Sequence, residues 1–208
     1  MRRQLLPALR LLLVCTVVLG LAYPVVVLGL AQVGFKAKAD GSLVTVKGAV
    51  VGSSLIGQQF SDPKYFQPRA SAAGPLASGT PSTPDAPVDP SSLAQANSGG
   101  SNLGPTNDTL LSTVEERAAA YRQANGLAAD AQVPVDAVTA SGSGVDPHIS
   151  IANARLQAPR VAQQRNLSVD QVNQLVDANT EGRTLGVLGE PGVNVLTLNL
   201  ALDGAGSS

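Results

Sequence analysis

An uncharged apolar run near the N-terminus constrains this chain more than any other feature. No residue from Leu11 to Phe35 carries a charge, and the twenty residues from Leu11 to Leu30 are almost wholly apolar. Twenty helical residues rise about 30 Å, which matches the hydrocarbon thickness of a bilayer. We therefore expect one transmembrane helix over residues 11–31, in which Pro24 is tolerated.

The charges that flank this run predict its orientation. Three arginines lie within residues 1–10, and positive charge beside a membrane helix favours the cytoplasmic side. We therefore expect the N-terminus in the cytoplasm, the helix in the plasma (inner) membrane, and residues 36–202 outside it. A cleaved signal peptide is the alternative, because Gly29-Leu30-Ala31 offers small residues for cleavage. The length of the apolar run favours a retained anchor.

Composition excludes several classes of function. The chain has 208 residues, with 14 bases and 15 acids. Once the three N-terminal arginines are set aside, residues 36–208 hold 11 bases against 15 acids, so charge alone binds neither nucleic acid nor anionic lipid. One Cys and one His exclude a zinc finger, an iron–sulfur site and a disulfide scaffold, and we expect no metal centre.

Periodicity predicts a mixed helix and strand domain after the anchor. One or two short strands are expected within Leu43–Phe60 and a helix from Asn107 to Gly126. Another helix is expected over Ser150–Arg165, where Pro159 should force a kink or a restart. The clearest helix begins at Ser168, where Gln171 completes a capping box. These elements predict an α+β extracytoplasmic domain behind a single transmembrane helix.

Two further strands and two disordered segments complete the expectation. Val133–Thr139 is a weak strand candidate, and Val193–Leu202 alternates leucine with smaller or polar residues in the manner of a half-buried strand. Residues 67–97 hold six prolines and few large aliphatics, so we expect a disordered loop there. We also expect the tail, residues 203–208, to be disordered.

No residue pattern in the chain predicts catalysis. His148 follows Asp146 and could act as a general base, but Ser141-Gly142-Ser143-Gly144 only superficially resembles a nucleophile elbow. The glycine-rich residues 98–107 precede a helix without the lysine of a phosphate-binding loop. Arg160 and Arg165 lie near Gln157 and could grip an acidic partner or a phosphate; a solvated helix face is at least as good an interpretation.

Several sequence blocks, in a fixed order, are similar to one known family. They are Gly52-Ser53-Ser54-Leu55-Ile56-Gly57-Gln58-Gln59-Phe60, Tyr65-Phe66, Ser98-Gly99-Gly100-Ser101-Asn102-Leu103-Gly104-Pro105-Thr106-Asn107, Thr139-Ala140-Ser141-Gly142-Ser143-Gly144-Val145-Asp146-Pro147-His148, Gln157-Ala158-Pro159-Arg160, Glu181-Gly182-Arg183, Gly189-Glu190-Pro191 and Leu198-Asn199-Leu200-Ala201-Leu202. Over nearly its whole length the chain resembles the C subunit of the Kdp-type potassium-transporting ATPase. It departs from the family at Pro68-Arg69-Ala70-Ser71, where Arg-Pro-Ser-Ala is usual.

This resemblance implies a non-catalytic accessory subunit of a high-affinity, ATP-driven potassium uptake complex. The implied partners are a channel-like potassium-binding subunit, a P-type ATPase subunit and a small single-span subunit, together with membrane lipid. The family is described as a catalytic chaperone that raises the ATP affinity of the ATPase subunit. A contact between ATP and a glutamine is part of that description, and Gln157 is the corresponding candidate here.

The charge pattern conflicts with direct nucleotide binding by the outer domain. ATP is cytoplasmic, whereas the arginines place residues 36–208 outside. Coupling through the anchor or through the channel-like subunit is compatible with both observations. Two other functions stay open: a free-standing anchored domain that binds an extracytoplasmic ligand, and a secreted hydrolase that uses His148.

Overall fold

A computed structural model describes residues 2–74 and 83–205 of the chain. These residues divide into two compact units, the first ending at Leu43 and the second beginning at Val44. The first unit is mainly helical, and the second unit combines helices with two small sheets. The predicted α+β domain behind one apolar N-terminal helix is confirmed.

The first unit consists of a long apolar helix and a short one. Helix α1 (Arg2–Val17), a π-helical turn (Val18–Ala22) and helix α2 (Tyr23–Gly34) follow one another without a break. From Arg3 to Gly34 this helix is long and apolar enough to cross a membrane, and its most apolar window has a mean hydropathy of 2.7 and no buried residue. Helix α3 (Lys36–Ala39) follows.

Pro24 explains the π-helical turn. A proline inside a helix lacks an N–H and its ring crowds the carbonyl one turn earlier, so the chain must adjust there. The Tyr23 N–H donates to the Val18 carbonyl, a wider-than-α spacing that absorbs this crowding. The apolar helix therefore accommodates Pro24 by local widening.

The second unit begins with a hairpin and continues through helices and a three-stranded sheet. Its elements in chain order are β1 (Leu43–Val46), β2 (Ala49–Ser53), α4 (Pro90–Ala94), α5 (Asp108–Ala124), α6 (Val135–Val138), β3 (His148–Ile149), α7 (Ile151–Arg165), α8 (Val169–Ala178), β4 (Thr180–Glu181), β5 (Gly192–Asn194) and α9 (Val195–Ala205).

Strand β5 is the centre of the three-stranded sheet, and the core lies where helices α7, α8 and α9 cover it. Both neighbours, β3 and β4, run antiparallel to β5. The main buried cluster is aliphatic with a few aromatic rings, and it comprises Phe60, Tyr65, Phe66, Ile149, Ala154, Ala158, Val161, Ala162, Val172, Val176, Val193, Val195, Leu196, Leu198 and Leu202. Small residues on α7 let this helix approach its neighbours closely.

Local signals set the helix boundaries as expected. The Ser168 side chain accepts from the Gln171 N–H while the Gln171 side chain accepts from the Ser168 N–H, so the predicted capping box is confirmed. Ser150 caps α7 in a similar way, and Asn107 caps α5. Of the kink or restart expected at Pro159, the restart does not occur, because α7 continues through Pro159 as one helix; Ala158 and Val161, both fully buried, pack it into the core.

Two predicted strands are wrong. Val135–Val138 is the short helix α6, which begins after Pro134, a residue whose fixed φ suits a helix start. Val195–Ala205 is helix α9, and only residues 192–194 belong to a strand. The alternation of leucines does not distinguish a strand from a helix here. Leu198 and Leu202 lie one helical turn apart, and a helix that is buried on most sides is apolar at most positions.

The two segments predicted to be disordered differ from the expectation where the structure describes them. Within 67–97, helix α4 buries Leu93, and the Val88 N–H donates to the Val50 carbonyl of β2. Asp89 caps α4, and Pro90 occupies its first turn. Residues 75–82 and 206–208 lie outside the described residues, and α9 extends through Ala205.

Candidate functional site

The segment of residues 60–69, which we call the strap, crosses helices α7 and α9 without regular secondary structure of its own. A backbone that pairs with no strand must find other hydrogen-bond partners when it is buried. In the strap these partners are side chains of the two helices. The strap also carries Tyr65 and Phe66, which are fully buried in the core.

Gln157 of helix α7 holds the backbone of Gln67 from one side. Its Oε1 accepts from the Gln67 N–H at 2.8 Å, and its Nε2 donates to the Gln67 carbonyl at 3.1 Å. The same amide also donates to Asn153 Oδ1 and accepts from the Arg160 guanidinium, both at 2.9 Å. Gln157 is 1% exposed, so these four bonds use the whole capacity of its amide.

Asn199 of helix α9 holds the neighbouring residue in the same manner. Its Oδ1 accepts from the Phe66 N–H at 2.8 Å, and its Nδ2 donates to the Phe66 carbonyl at 3.0 Å. Asn199 is fully buried. Two side-chain amides from two helices therefore substitute for a neighbouring strand along Phe66 and Gln67.

Two arginines of α7 complete the attachment of the strap. Arg160 donates to the carbonyls of Pro63 and Tyr65, and Arg165 donates to the carbonyl of Lys64 at 2.9 Å. With the bonds from Asn199 and Gln157, each of the five consecutive carbonyls of residues 63–67 accepts from a side chain. A grip on a partner or a solvated helix face was expected for both arginines; in the structure both turn toward the strap.

Arg165 and Tyr65 are joined by Asp203 at the end of α9. Arg165 Nη2 lies 2.7 Å from Asp203 Oδ1, and the Tyr65 hydroxyl donates to the same carboxylate at 3.0 Å. The Arg165 guanidinium also stacks over the Tyr65 ring at 4.7 Å. Burial, and then the Asp203 charge, raise the pKa of Tyr65 to about 12, so this hydroxyl stays a donor.

A second polar cluster anchors the start of α7. Asp136 of helix α6 accepts from the N–H and the hydroxyl of Ser150, each at 2.8 Å, and from the Asn153 amide at 3.0 Å. The Tyr121 hydroxyl donates to Asn153 Oδ1 at 2.8 Å, and burial raises the pKa of Tyr121. Through Asn153 this cluster joins Gln157, so helices α5, α6 and α7 share one polar network with the strap.

His148 lines a polar cleft of about 420 Å³ beside the three-stranded sheet. Its Nδ1 lies 3.7 Å from Asp146 Oδ1, and its Nε2 lies 3.4 Å from Glu181 Oε2. Asp146 also accepts from the Arg69 guanidinium at 2.8 Å. His148 on β3 and Glu181 on β4 meet across β5, where Gly192 has no side chain; a Cβ there would lie 3.2 Å from the His148 Cβ.

Charge pairing shifts the titration of both central groups in this cleft. The hydrogen bond with Asp146 is the largest of the causes that raise the pKa of His148; burial opposes it, and Glu181 adds to it. Burial alone would raise the pKa of Asp146, but bonds from His148 and Arg69 outweigh it and lower that pKa to about 2. The cleft is therefore an ion-pair cluster that ties Arg69, which ends the strap, to β3 and β4.

Among the residues that the structure describes, neither Ser150 nor Ser141 is placed as a nucleophile for His148. Ser150 also lines the cleft, but its hydroxyl donates to Asp136. Ser141 Oγ accepts from the Gly144 N–H inside its own loop, and this loop follows helix α6 and is no strand-to-helix elbow. Within residues 2–74 and 83–205, no group of three His, Cys, Asp or Glu side chains is arranged to hold a metal.

Two glycine-containing motifs from the sequence analysis pack against each other. The Gly99 N–H donates to the Ser143 carbonyl at 2.8 Å, and a Cβ on Gly144, whose φ is +72°, would lie 2.7 Å from the Gly99 carbonyl. The Asn107 side chain accepts from the N–H groups of Thr109 and Leu110. The contact with residues 142–144 therefore fixes only the start of this segment, and residues 101–107 form an exposed loop that ends at the cap of α5.

The side chain of Gln157, where a nucleotide contact was predicted, is already hydrogen-bonded within the protein. Each of its donor and acceptor positions has a protein partner, so a nucleotide would have to displace the strap or Arg160. The residues around Gln157 therefore do not fit a nucleotide in this arrangement. Sequence reasoning missed Asn153, Asp136 and Asn199; the only available signal was that Asn153 lies one helical turn before Gln157, on the same face.

Comparison with known proteins identifies relatives over nearly the whole chain. Residues 5–204 match the family model described as KdpC, the c chain of the K⁺-transporting ATPase. A potassium-transporting ATPase KdpC subunit of Mycobacterium bovis (strain BCG / Pasteur 1173P2) is 55% identical over 203 residues, covering 98% of this chain and 99% of the relative. KdpC subunits of Rhodopseudomonas palustris (strain BisB5) and Koribacter versatilis (strain Ellin345) are 52% and 45% identical, covering 98% of this chain and 98% and 96% of the relatives.

Proposed function

The chain belongs to the KdpC family, the c chain of the K⁺-transporting ATPase, and we propose that it is the accessory subunit that holds this complex together from outside the membrane. The observation that carries the proposal is the combination of a match over residues 5–204 with an apolar helix whose side chains are exposed to the surroundings. Such a helix needs lipid or another membrane helix around it.

The described architecture supports a positioning role. The strap, Gln157, Asn199 and the two arginines satisfy one another inside the domain, and such networks make a fold rigid. A rigid body on a membrane anchor is suited to holding a neighbouring subunit in place. We therefore assign the domain the task of docking on the channel-like potassium-binding subunit, with the P-type ATPase subunit and the small single-span subunit as further partners.

The orientation in this proposal follows the charge pattern. Residues 1–10 lie in the cytoplasm, residues 11–31 cross the plasma membrane, and residues 36–202 lie outside. Arg3 and Arg10 precede the uncharged run of residues 11–35, and the positive-inside rule favours this topology. A domain on that side can stabilise the complex without reaching cytoplasmic ATP.

A chaperone effect on ATP binding then acts by coupling between sites. If docking of the outer domain favours the conformation of the ATPase subunit that binds ATP, its ATP affinity rises without a contact between ATP and this chain. The filled hydrogen-bond positions of Gln157 support this indirect route over a direct nucleotide contact.

The test is a truncation that keeps the anchor and deletes residues 36–208. We expect the complex to assemble poorly and potassium uptake in potassium-limited cells to fail, because the docking body is absent. A matched control deletes only residues 206–208, which lie beyond helix α9, and so keeps Asp203, the strap and the sheet. Normal uptake by the large truncation would refute the assembly role.

The ATP part of the proposal has its own measurement. The ATP dependence of ATPase activity is compared between the complex with the full chain and the complex with the truncated chain. Both KM values are measured on the complex that still assembles, and a rise in the KM for ATP with the truncated chain supports coupling. An unchanged KM, with a lower yield of complex, would leave the docking role and remove the chaperone effect.

A further inference from the structure

The turn between strands β4 and β5 carries the densest group of exposed apolar side chains in the second unit. Leu185, Val187 and Leu188 are 87%, 73% and 58% exposed. They lie within four residues of the chain, on a hairpin closed by bonds between Thr184 and Leu188. We call residues 183–190 the finger. Scattered exposed leucines are ordinary on a protein surface, but a contiguous group marks an interaction site.

The backbone at the tip of the finger is strained for the residue that it carries. Leu185 has φ +55° and Gly186 has φ +78°, the pattern of a tight hairpin turn that favours Asn-Gly. A leucine in the left-handed region is uncommon and costs conformational energy. Burial within the domain does not offset this conformational energy, since the Leu185 side chain is almost fully exposed. A leucine kept at such a position is consistent with a contact made outside this chain.

The base of the finger is closed by an ion pair. One nitrogen of the Arg183 guanidinium donates to both carboxylate oxygens of Glu190, at 2.9 and 2.8 Å. This pair neutralises the positive charge nearest to the tip, and Glu181 adds a negative charge just before it. An apolar tip with no free positive charge is poorly suited to anionic lipid headgroups. Charge therefore favours a protein over a membrane surface.

We propose that the finger inserts Leu185, Val187 and Leu188 into an apolar recess on the extracytoplasmic surface of the channel-like potassium-binding subunit. This inference rests on the proposed function, because it takes the docking role as given and names the contact. Three side chains cover far less than the roughly 800 Å² per partner of a stable interface. The finger can still contribute strongly, since the membrane anchor already holds the two proteins at a high effective concentration.

The hairpin β1–β2 supplies a matched control for a test of the finger. Lys47 has φ +51° and Gly48 has φ +82°, so the same turn pattern recurs there with a charged residue at the tip. An asparagine suits this backbone position better than either leucine or lysine. Leu185→Asn and Lys47→Asn therefore make the same change in turn chemistry, and only the first removes an apolar side chain from the finger.

The experiment uses the complete complex, purified in mild detergent through a tag on this chain. We expect Leu185→Asn to leave the thermal unfolding of the chain unchanged or slightly higher, and to weaken retention of the larger subunits about tenfold or more in a detergent titration, since an apolar anchor is lost. Lys47→Asn should retain them as the wild type does. Equal retention in Leu185→Asn and wild type would overturn the finger while leaving the docking role intact.

A cross-linking measurement covers the case in which Leu185→Asn folds poorly. Cys15 is the only cysteine, so Leu185→Cys in a Cys15→Ser background accepts a single photoreactive label. We expect an adduct with the channel-like subunit, and no such adduct from Lys47→Cys. An adduct with the P-type ATPase subunit, an adduct of twice the 21.1 kDa mass, a lipid adduct, or labelling of both variants alike would each overturn the proposal. Failure of the wild-type chain to bring down any subunit would instead refute the proposed function itself.

Discussion

Two side-chain amides bind the backbone of the strap in this domain. Gln157 and Asn199 each hold one residue of the strap by both its N–H and its carbonyl, a pairing that a neighbouring strand usually provides. The family resemblance predicts a nucleotide contact at Gln157. Its partners on the strap are 90 residues away in the chain, and no local pattern indicates a bond of that range.

Replacement of Gln157 tests its structural role. Gln157→Leu leaves the N–H and the carbonyl of Gln67 buried without partners, so the free energy of unfolding should fall by about 1–3 kcal/mol for each group that stays unpaired. Gln163→Leu is the matched control, because Gln163 is exposed on the same helix. Urea unfolding of the detergent-solubilised chain measures both. Similar stabilities for the two variants would contradict the role.

His148 gives the domain a pH dependence of known sign. A folded-state pKa that is raised above the ordinary 6.5 adds stability that is fully present below that pH and is lost as the pH rises through the raised pKa. His148→Gln should therefore lower the unfolding temperature more at pH 5.5 than at pH 8.5. Asp146, with its pKa near 2, stays ionised throughout this window.

Asp146→Asn serves as the control for the pH experiment. It removes the carboxylate whose hydrogen bond contributes most to the raised pKa of His148, so the cost of adding His148→Gln to this variant should differ less between pH 5.5 and pH 8.5. If His148→Gln costs the same at both pH values, protonation of His148 does not stabilise the fold.

Among the secondary-structure elements, the helix N-caps could be predicted from the sequence, whereas helices α6 and α9 could not. The capping box at Ser168 and the cap at Asn107 are local signals, and the structure confirms both helices. Helix α9 was predicted as a strand. A segment of 10 residues that is buried on most sides is apolar at most positions, so it fits the helical period of about 3.6 residues and the strand period of about 2 residues alike. Helix α6 was misjudged because its four residues are too few for any period to be recognisable.

Because the strap is hydrogen-bonded to both α7 and α9, we expect these two helices to be energetically coupled. Once Gln157→Leu frees the strap at Gln67, the bonds from Asn199 to Phe66 lose their fixed target. The combined loss in Gln157→Leu with Asn199→Leu should therefore be smaller than the sum of the single losses by about 0.5 kcal/mol or more. Urea unfolding of the four members of this double-mutant cycle measures the coupling.

Asn107→Ala provides the reference for that cycle. Asn107 caps α5 through Thr109 and Leu110 and shares no hydrogen-bond partner with Gln157. Its combination with Gln157→Leu should be additive within about 0.5 kcal/mol. Additivity in both pairs would mean that the strap does not transmit strain between the two helices.

At the scale of the whole molecule, the division into an apolar helix and an α+β domain was predictable. Length and hydropathy alone predict the helix, and among the described residues one helix, from Arg3 to Gly34, is long and apolar enough to cross a membrane. The orientation of this helix stays a prediction of the charge pattern. The way in which the strap, the cleft and the finger are assembled depends on contacts between distant residues, which one sequence does not reveal.

Accessibility of single cysteines tests the orientation. Ser101→Cys in a Cys15→Ser background places the only thiol on an exposed loop of the second unit, and Gln4→Cys places it before the apolar run. We expect a membrane-impermeant thiol reagent to label the first variant in intact cells, after removal of any outer membrane. The second variant should be labelled only after permeabilisation. The opposite pattern would reverse the proposed topology.

The central claim is that this chain acts as part of a potassium-transporting complex, and co-purification tests it most directly. The tagged full-length chain is isolated in mild detergent from potassium-starved cells, and its companions are identified by mass. The account predicts two large polytopic subunits, one of which carries a P-type phosphorylation sequence. A full-length chain that is recovered alone under starvation would contradict the account and favour a free-standing ligand-binding domain.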